Sequence, residues 1–294
     1  MAKFGIVSAP VPGHINPFLA LASELKSRGH GVFFFQLSDV GPRLREEGIL
    51  LRAIGLDSHS PGYLPASLRE LSRRKGLSAL RFTLAEIRKT TAMICRDAPA
   101  AVREERPDML LVDQTEPAGG TVAEQLGLPF ITICNALPMH REPGVPPPFS
   151  PWSYRPGVAS RLRNRVGYAV SDRVESPVRR TLEQYRRQAG LPVRRSAADY
   201  DSPLAHISQM PALFDLPRCE APPHLLYAGP FRRQSNAVVD FPWDRLDGRP
   251  LVYASLGTLQ GAHFPIFQCF AEACSALGFQ AVISHGGRLS PAQE

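Results

Sequence analysis

No stretch of this 294-residue chain approaches the run of roughly 20 apolar residues that a membrane-crossing helix needs. The segment Met1-Ala2-Lys3-Phe4-Gly5-Ile6-Val7-Ser8 lacks the apolar core of a secretion signal and reads directly as a first β-strand. Cysteine is scarce and unpatterned. Cys95, Cys134, Cys219, Cys269 and Cys274 form an odd set without a C-x-x-C pair, so spacing points to neither a disulfide framework nor a zinc site. Together these absences lead to the expectation of a cytoplasmic protein. Hydrophobic residues at 44% and charged residues at 21% leave no room for a disordered or fibrous chain.

The formal net charge of +7 is not spread evenly. Between Arg155 and Arg195 the chain holds eleven arginines against Asp172, Glu175 and Glu183, a local net charge of +8, so the remainder is close to neutral. No nucleic-acid-binding motif or aromatic platform accompanies these arginines, and no nucleic-acid partner is expected. Leu162, Val166, Val170, Val174 and Val178 recur at fourfold spacing through the same segment, which predicts an amphipathic helix. Two readings stay open for it: peripheral contact with an anionic membrane surface, or a solvated helical face.

Apolar runs alternate with helical periodicity, as in a parallel sheet covered by helices. Strands are expected at Phe4–Ser8, Val32–Gln36, Met109–Val112 and Phe130–Cys134, with helices from about Pro17 to Arg28 and Pro117 to Leu126. A second strand–helix–strand unit follows at Leu251–Ser255, His263–Leu277 and Gln280–Ser284. Pro138 to Pro156 contains seven of the 29 prolines, which predicts a long irregular loop of the kind that covers a site. Phe149, Trp152 and Tyr154 in that loop suit either an apolar substrate wall or ordinary loop packing. The polar stretch from about Phe231 to Gly248 reads as a linker, which divides the chain into a first domain over 1–235 and a shorter second one over 236–294. Fewer than 60 residues are too few for a complete doubly wound domain. The chain is therefore expected to end inside its second domain.

The first strand-to-helix turn reads Ser8-Ala9-Pro10-Val11-Pro12-Gly13-His14-Ile15-Asn16-Pro17. It contains Gly13 alone where a dinucleotide fingerprint needs G-x-G-x-x-G, so a pyrophosphate cradle at this turn is excluded. What it presents is His14. Ligands of open α/β sheets bind beyond the carboxyl ends of the strands, so His14 is placed either for chemistry or simply for packing in the turn. Asp113 stands at the end of another apolar strand, Leu110-Leu111-Val112, and reads as a partner for an imidazole or as a helix N-cap. A carboxylate on one ring nitrogen would fix the tautomer and support proton uptake at the other.

Pro12-Gly13-His14-Ile15-Asn16-Pro17 resembles the P-G-H-x-N-P turn of the family 1, UDP-sugar-dependent glycosyltransferases, inverting enzymes built from two facing α/β domains. Ala254-Ser255-Leu256-Gly257-Thr258 resembles the S-x-G-T segment that opens their second domain. Asp57-Ser58-His59-Ser60-Pro61-Gly62, Val112-Asp113-Gln114-Thr115-Glu116-Pro117 and Ala136-Leu137-Pro138-Met139-His140-Arg141-Glu142-Pro143 resemble the branch of the family that glucosylates carotenoids such as zeaxanthin. The resemblance covers essentially the whole chain. It implies a GT-B-type α/β fold, with a Rossmann-like N-terminal domain and an incomplete second Rossmann-like domain.

The resemblance also implies roles. His14 matches the general base that deprotonates the acceptor hydroxyl, Asp113 its acidic partner, and Ser255, Gly257 and Thr258 the turn that binds the donor diphosphate. UDP-glucose is implied as co-substrate, with a hydroxylated carotenoid as acceptor, or a polyketide or phenol as the alternative. No metal is expected, because N–H and hydroxyl donors at such a turn suit a leaving diphosphate and no carboxylate cluster reads as a magnesium site. His285-Gly286-Gly287 looks like the family's H-G-G donor motif but follows the wrong strand. The true motif would lie beyond Glu294, so a further reading is a truncated, non-catalytic acceptor-binding domain.

Overall fold

A computed structural model describes residues 1–194, 197–232, 240–257, 261, 263–287 and 289–290. The chain divides into two compact units, Met1–Ser67 with Gly76–Arg233, and Leu68–Lys75 with Gln234–Glu294.

The first unit is built on seven parallel strands: β1 (Lys3–Val7), β2 (Gly31–Gln36), β3 (Leu50–Ala53), β4 (Met109–Asp113), β5 (Phe130–Cys134), β6 (His206–Ser208) and β7 (Leu225–Tyr227). Their order is β3-β2-β1-β4-β5-β6-β7. The chain thus winds outward in one direction from β1 and in the other from β4, and the reversal falls between those two neighbours. Their register aligns Phe4 with Met109 and Val7 with Val112.

The central strands read as unbroken apolar runs because both faces are covered. Side chains alternate along a strand, so Val7, Phe35, Leu110 and Val112 enter one core, while Ile6, Phe34, Leu111 and Ile133 enter the other. The helices over these cores include α1 (Pro12–Ser27), α4 (Gly76–Glu105), α5 (Ala118–Leu126) and α6 (Val158–Gln188), with the shorter α2 (Gly41–Glu46) and the helix α3 (Tyr63–Ser72) between β2 and α4. In α5 two glycines set the approach to the sheet. A Cβ on Gly119 would lie 2.8 Å from Val112 Cγ1 and 3.0 Å from Val7 Cβ, so the helix rests directly on β1 and β4 where they end.

Three expectations change. The first helix begins at Pro12, five residues earlier than periodicity suggests, so His14 belongs to the helix's first turn and not to a turn ahead of it. Pro12 occupies the first helical turn, where its missing N–H has no intrahelical partner to lose, and Pro17 is accommodated inside the helix. The fourfold row on α6 is not one buried face. Four residues advance 400°, so the row drifts about 40° per step, and Leu162, Val166 and Val170 are exposed while Val178 reaches the core. The short strands β6 and β7, at three residues each, are below the length at which periodicity speaks.

The second unit contains β8 (Leu251–Ser255), α7 (Phe264–Ala276) and β9 (Gln280–Ser284). β8 and β9 pair in parallel from Leu251–Gln280 to Ser255–Ser284, the strand–helix–strand unit that the sequence suggests. Part of the linker, residues 233–239, lies outside the described residues.

Arg186 ties α6 to the rest of the first unit. It is fully buried, and its guanidinium donates to Glu124 Oε2 at 2.6 Å and to the Pro192 carbonyl at 2.7 Å. It also stacks over Tyr200, 5.6 Å from the ring centroid. Removing the arginine leaves Glu124 to Arg194 alone, frees the Pro192 carbonyl and opens a cavity, a loss of about 3 kcal/mol. Urea unfolding of Arg186→Ala should show that loss, against a change within about 0.5 kcal/mol for the exposed Arg180→Ala.

Candidate active site

β1 and β4 are adjacent, and each ends by delivering one polar residue to the same sheet edge. From the first turn of α1, His14 reaches back to Asp113, the last residue of β4, and its Nδ1 lies 2.6 Å from Asp113 Oδ2. Asp113 is wholly buried, while the imidazole keeps about a quarter of its side-chain surface exposed.

The carboxylate is held on all sides. Oδ1 accepts from the Thr115 backbone N–H at 2.9 Å and from its hydroxyl at 2.8 Å, an Asx-type turn that aims the side chain. Oδ2 accepts from His14, from Asn135 Nδ2 at 3.2 Å and, longer, from the Ala9 backbone N–H at 3.4 Å. Asp113 does not cap a helix: α5 starts at Ala118, with Pro117 at its cap. With its acceptor capacity engaged by donors, the carboxylate takes the Nδ1–H of the neutral imidazole. Nε2 is then the nitrogen with a free lone pair.

Burial disfavours the imidazolium, but the hydrogen bond and the charge of Asp113 outweigh it, and the His14 pKa rises above its ordinary 6.5. Beneath the pair, Glu116 is fully buried, and burial together with the nearby Asp113 charge pushes its carboxyl up to about 8. Glu116 is therefore largely protonated at neutral pH, and Asp113 supplies the negative charge that His14 senses.

Thr115 and Asn135 are the residues that motif reading did not bring to the site. Asn135 directly follows β5, so its position after an apolar run was the available signal. Two buried atoms at this edge, Ser8 Oγ after β1 and Asn135 Oδ1, have no hydrogen-bond partner among the described residues, which is rare for buried polar atoms.

In the second unit Ser255 ends β8 and Gly257 has the left-handed φ of +67°, with its N–H 3.3 Å from Ser255 Oγ. Thr258, the third residue expected at that turn, lies outside the described residues. Among the described residues no group of three or more His, Cys, Asp or Glu side chains is arranged to hold a metal ion.

The proline-rich loop after β5 is irregular, as expected, and is pinned. Arg218 donates to the carbonyls of His140 and Pro138 at 2.7 Å each while paired with Asp215, and Glu142 Oε1 accepts from the Glu220 N–H at 2.9 Å. Trp152 packs on Gly167 of α6 beneath the Arg163 guanidinium, so this aromatic docks the loop. Phe149 is exposed.

Residues 12–134 match the glycosyltransferase family 28 N-terminal domain. The chain is 35% identical over its full length to the zeaxanthin glucosyltransferase of Pantoea ananas, spanning 68% of that protein, and 35% identical to that of Pseudescherichia vulneris, spanning 69%. The crystal structure of the glycotransferase of kitacinnamycin superimposes over 99% of this chain and 67% of its own, with a TM-score of 0.70 at 20% identity. The chain belongs to the family 1 glycosyltransferases, and its fold is of the GT-B type.

The pair can be tested apart from turnover. Nitrogen-15 NMR of His14 should show the Nδ1–H tautomer and a titration above pH 6.5; in Asp113→Asn both raising influences are gone, burial remains, and the titration should fall below 6.5.

Proposed function

We propose that the protein transfers glucose from UDP-glucose to a hydroxyl of an apolar acceptor, most closely a carotenoid such as zeaxanthin, with inversion at the anomeric carbon. The observation that carries this reading is the His14–Asp113 pair at the sheet's topological switch point, in a chain that resembles zeaxanthin glucosyltransferases from end to end.

The chemistry follows from the pair. The acceptor hydroxyl gives its proton to His14 Nε2 as its oxygen attacks the anomeric carbon from the face opposite the diphosphate. The new glycosidic C–O bond forms while the bond to the diphosphate oxygen breaks, and UDP leaves with the electron pair. Asp113 is a positioning residue: it holds the ring through Nδ1 and stabilises the imidazolium that forms. Ser255, Gly257 and Thr258 are assigned to the departing diphosphate, where N–H and hydroxyl donors match developing negative charge. No metal is invoked for that step.

A polyketide or phenolic acceptor is the alternative within the same chemistry. Acceptor binding without turnover is the other, since transfer needs a positioned donor as well as a base. Incubation with UDP-glucose and zeaxanthin, analysed by chromatography and proton NMR of the product, tests the reading. The expected product is a β-glucoside, lost by a factor of about 10² to 10⁴ in His14→Ala. An α-linked product would contradict inversion. Zeaxanthin binding without product would leave the acceptor-binding reading, and transfer to a phenol alone would reassign the acceptor.

A further inference from the structure

The basic segment divides, in three dimensions, into two populations with different work. One is internal. Arg186 is buried, Arg179 pairs with Asp172 and Glu183, Arg194 pairs with Glu124, and Arg163 is spent on Trp152 and Asn164. The acids of the segment are consumed in the same way, since Asp172 also pairs with Arg141, and Glu175 is shielded from solvent and faces Arg141 and Arg179. The other population is external. Arg155, Arg161, Arg165, Arg173 and Arg180 are exposed and form no ion pair among the described residues, and no exposed residue from 155 to 188 is acidic.

The external arginines are interleaved with apolar side chains that face the same solvent. Along the first half of α6, Val158, Leu162, Val166 and Val170 are 83%, 61%, 56% and 58% exposed. The neighbouring row, at positions 161, 165, 169 and 173, is Arg, Arg, Ala, Arg. The two rows together extend for about 22 Å along the helix at 1.5 Å per residue. Unpaired arginines among aliphatic side chains, with acids withdrawn from the face, suit a surface that offers both negative charge and apolar depth. An anionic bilayer does so: phosphates meet the guanidinium groups, and the aliphatic row enters the acyl boundary. No helix among the described residues is long and apolar enough to cross a membrane, so the contact is peripheral.

We propose that the exposed face of α6 from Val158 to Arg173 docks the protein on anionic lipid. The surface carries this on its own geometry and does not depend on the identity of the acceptor.

Co-sedimentation of the full chain with phosphatidylcholine vesicles, with and without phosphatidylglycerol, tests it. Binding should require phosphatidylglycerol and fall as salt rises. Each arginine near an anionic surface contributes a factor of about five, so Arg161→Gln, Arg165→Gln and Arg173→Gln together should weaken partitioning on the order of a hundredfold. Leu162→Ser with Val166→Ser should weaken it at unchanged charge. All five positions are exposed, so circular dichroism and melting should be preserved. The control is Arg81→Gln, Arg88→Gln and Arg103→Gln, an equal change of charge on α4, which should leave binding nearly intact. Absent binding, equal binding to neutral vesicles, or an equal loss in the control would overturn the proposal. So would a dimer in solution that Leu162→Ser with Val166→Ser dissolves, since that would assign the face to a second copy of the chain.

Discussion

One hydrogen bond organises the first unit's chemistry: His14 Nδ1 to Asp113 Oδ2, closed across 99 residues of sequence. It exists because β1 and β4 are neighbours at the point where the winding of the sheet reverses, so the first residues beyond both strands open onto one crevice. It also depends on tight packing beneath. Gly119 lets α5 lie against Val7 and Val112, so the helix that follows Asp113 leaves that strand end undisturbed. At zero exposure Asp113 is ringed by donors, which offset the cost of burying a carboxylate. Glu116, one turn away and without such a ring, has its carboxyl raised to about 8 by burial and the Asp113 charge. His14 takes its basicity from its hydrogen bond to Asp113 and from that residue's charge.

The same division between paired and unpaired charge governs α6. Arginines that face inward fasten helix to helix, as Arg186 does with Glu124, and their cost in desolvation is offset by carboxylate and carbonyl contacts. Arg155, Arg161, Arg165, Arg173 and Arg180 face outward and form no ion pair among the described residues, so their field reaches solvent. A count of charge over the segment treats the two groups alike, although they differ in consequence. The aliphatic row makes the contrast visible: fourfold spacing drifts round the helix, leaving its early members in water and bringing Val178 against the core.

Much of this was legible in the sequence, and the reasons are local. Long apolar runs such as Leu110-Leu111-Val112 announce strands buried on both faces, and a polar residue at the end of such a run, as Asp113 is, marks a sheet edge; His14 stands in the turn after the first such run. Their adjacency was not legible, because strand order is a property of the whole sheet. Two prolines, Pro10 and Pro12, read as a turn in the sequence, whereas Pro12 begins the helix α1. The strands β6 and β7 and the helix α4 carried too little pattern or too mixed a composition to be placed. Asn135 was passed over because its neighbours carried the motif. Ser255 and Gly257 stand at the end of β8 as expected, while their role rests on resemblance.

We propose that the Asp113 carboxylate makes His14 a base. The pH dependence of kcat/KM for glucosyl transfer, measured for the wild type and Asp113→Asn, tests it most directly. Since protonation removes the base and Asp113 holds the imidazole pKa above 6.5, the acid limb of the wild-type profile should lie above that value. Asp113→Asn should move the limb below it and lower the plateau by about 10² to 10⁴. An acid limb that stays in place when Asp113 is replaced would contradict the account.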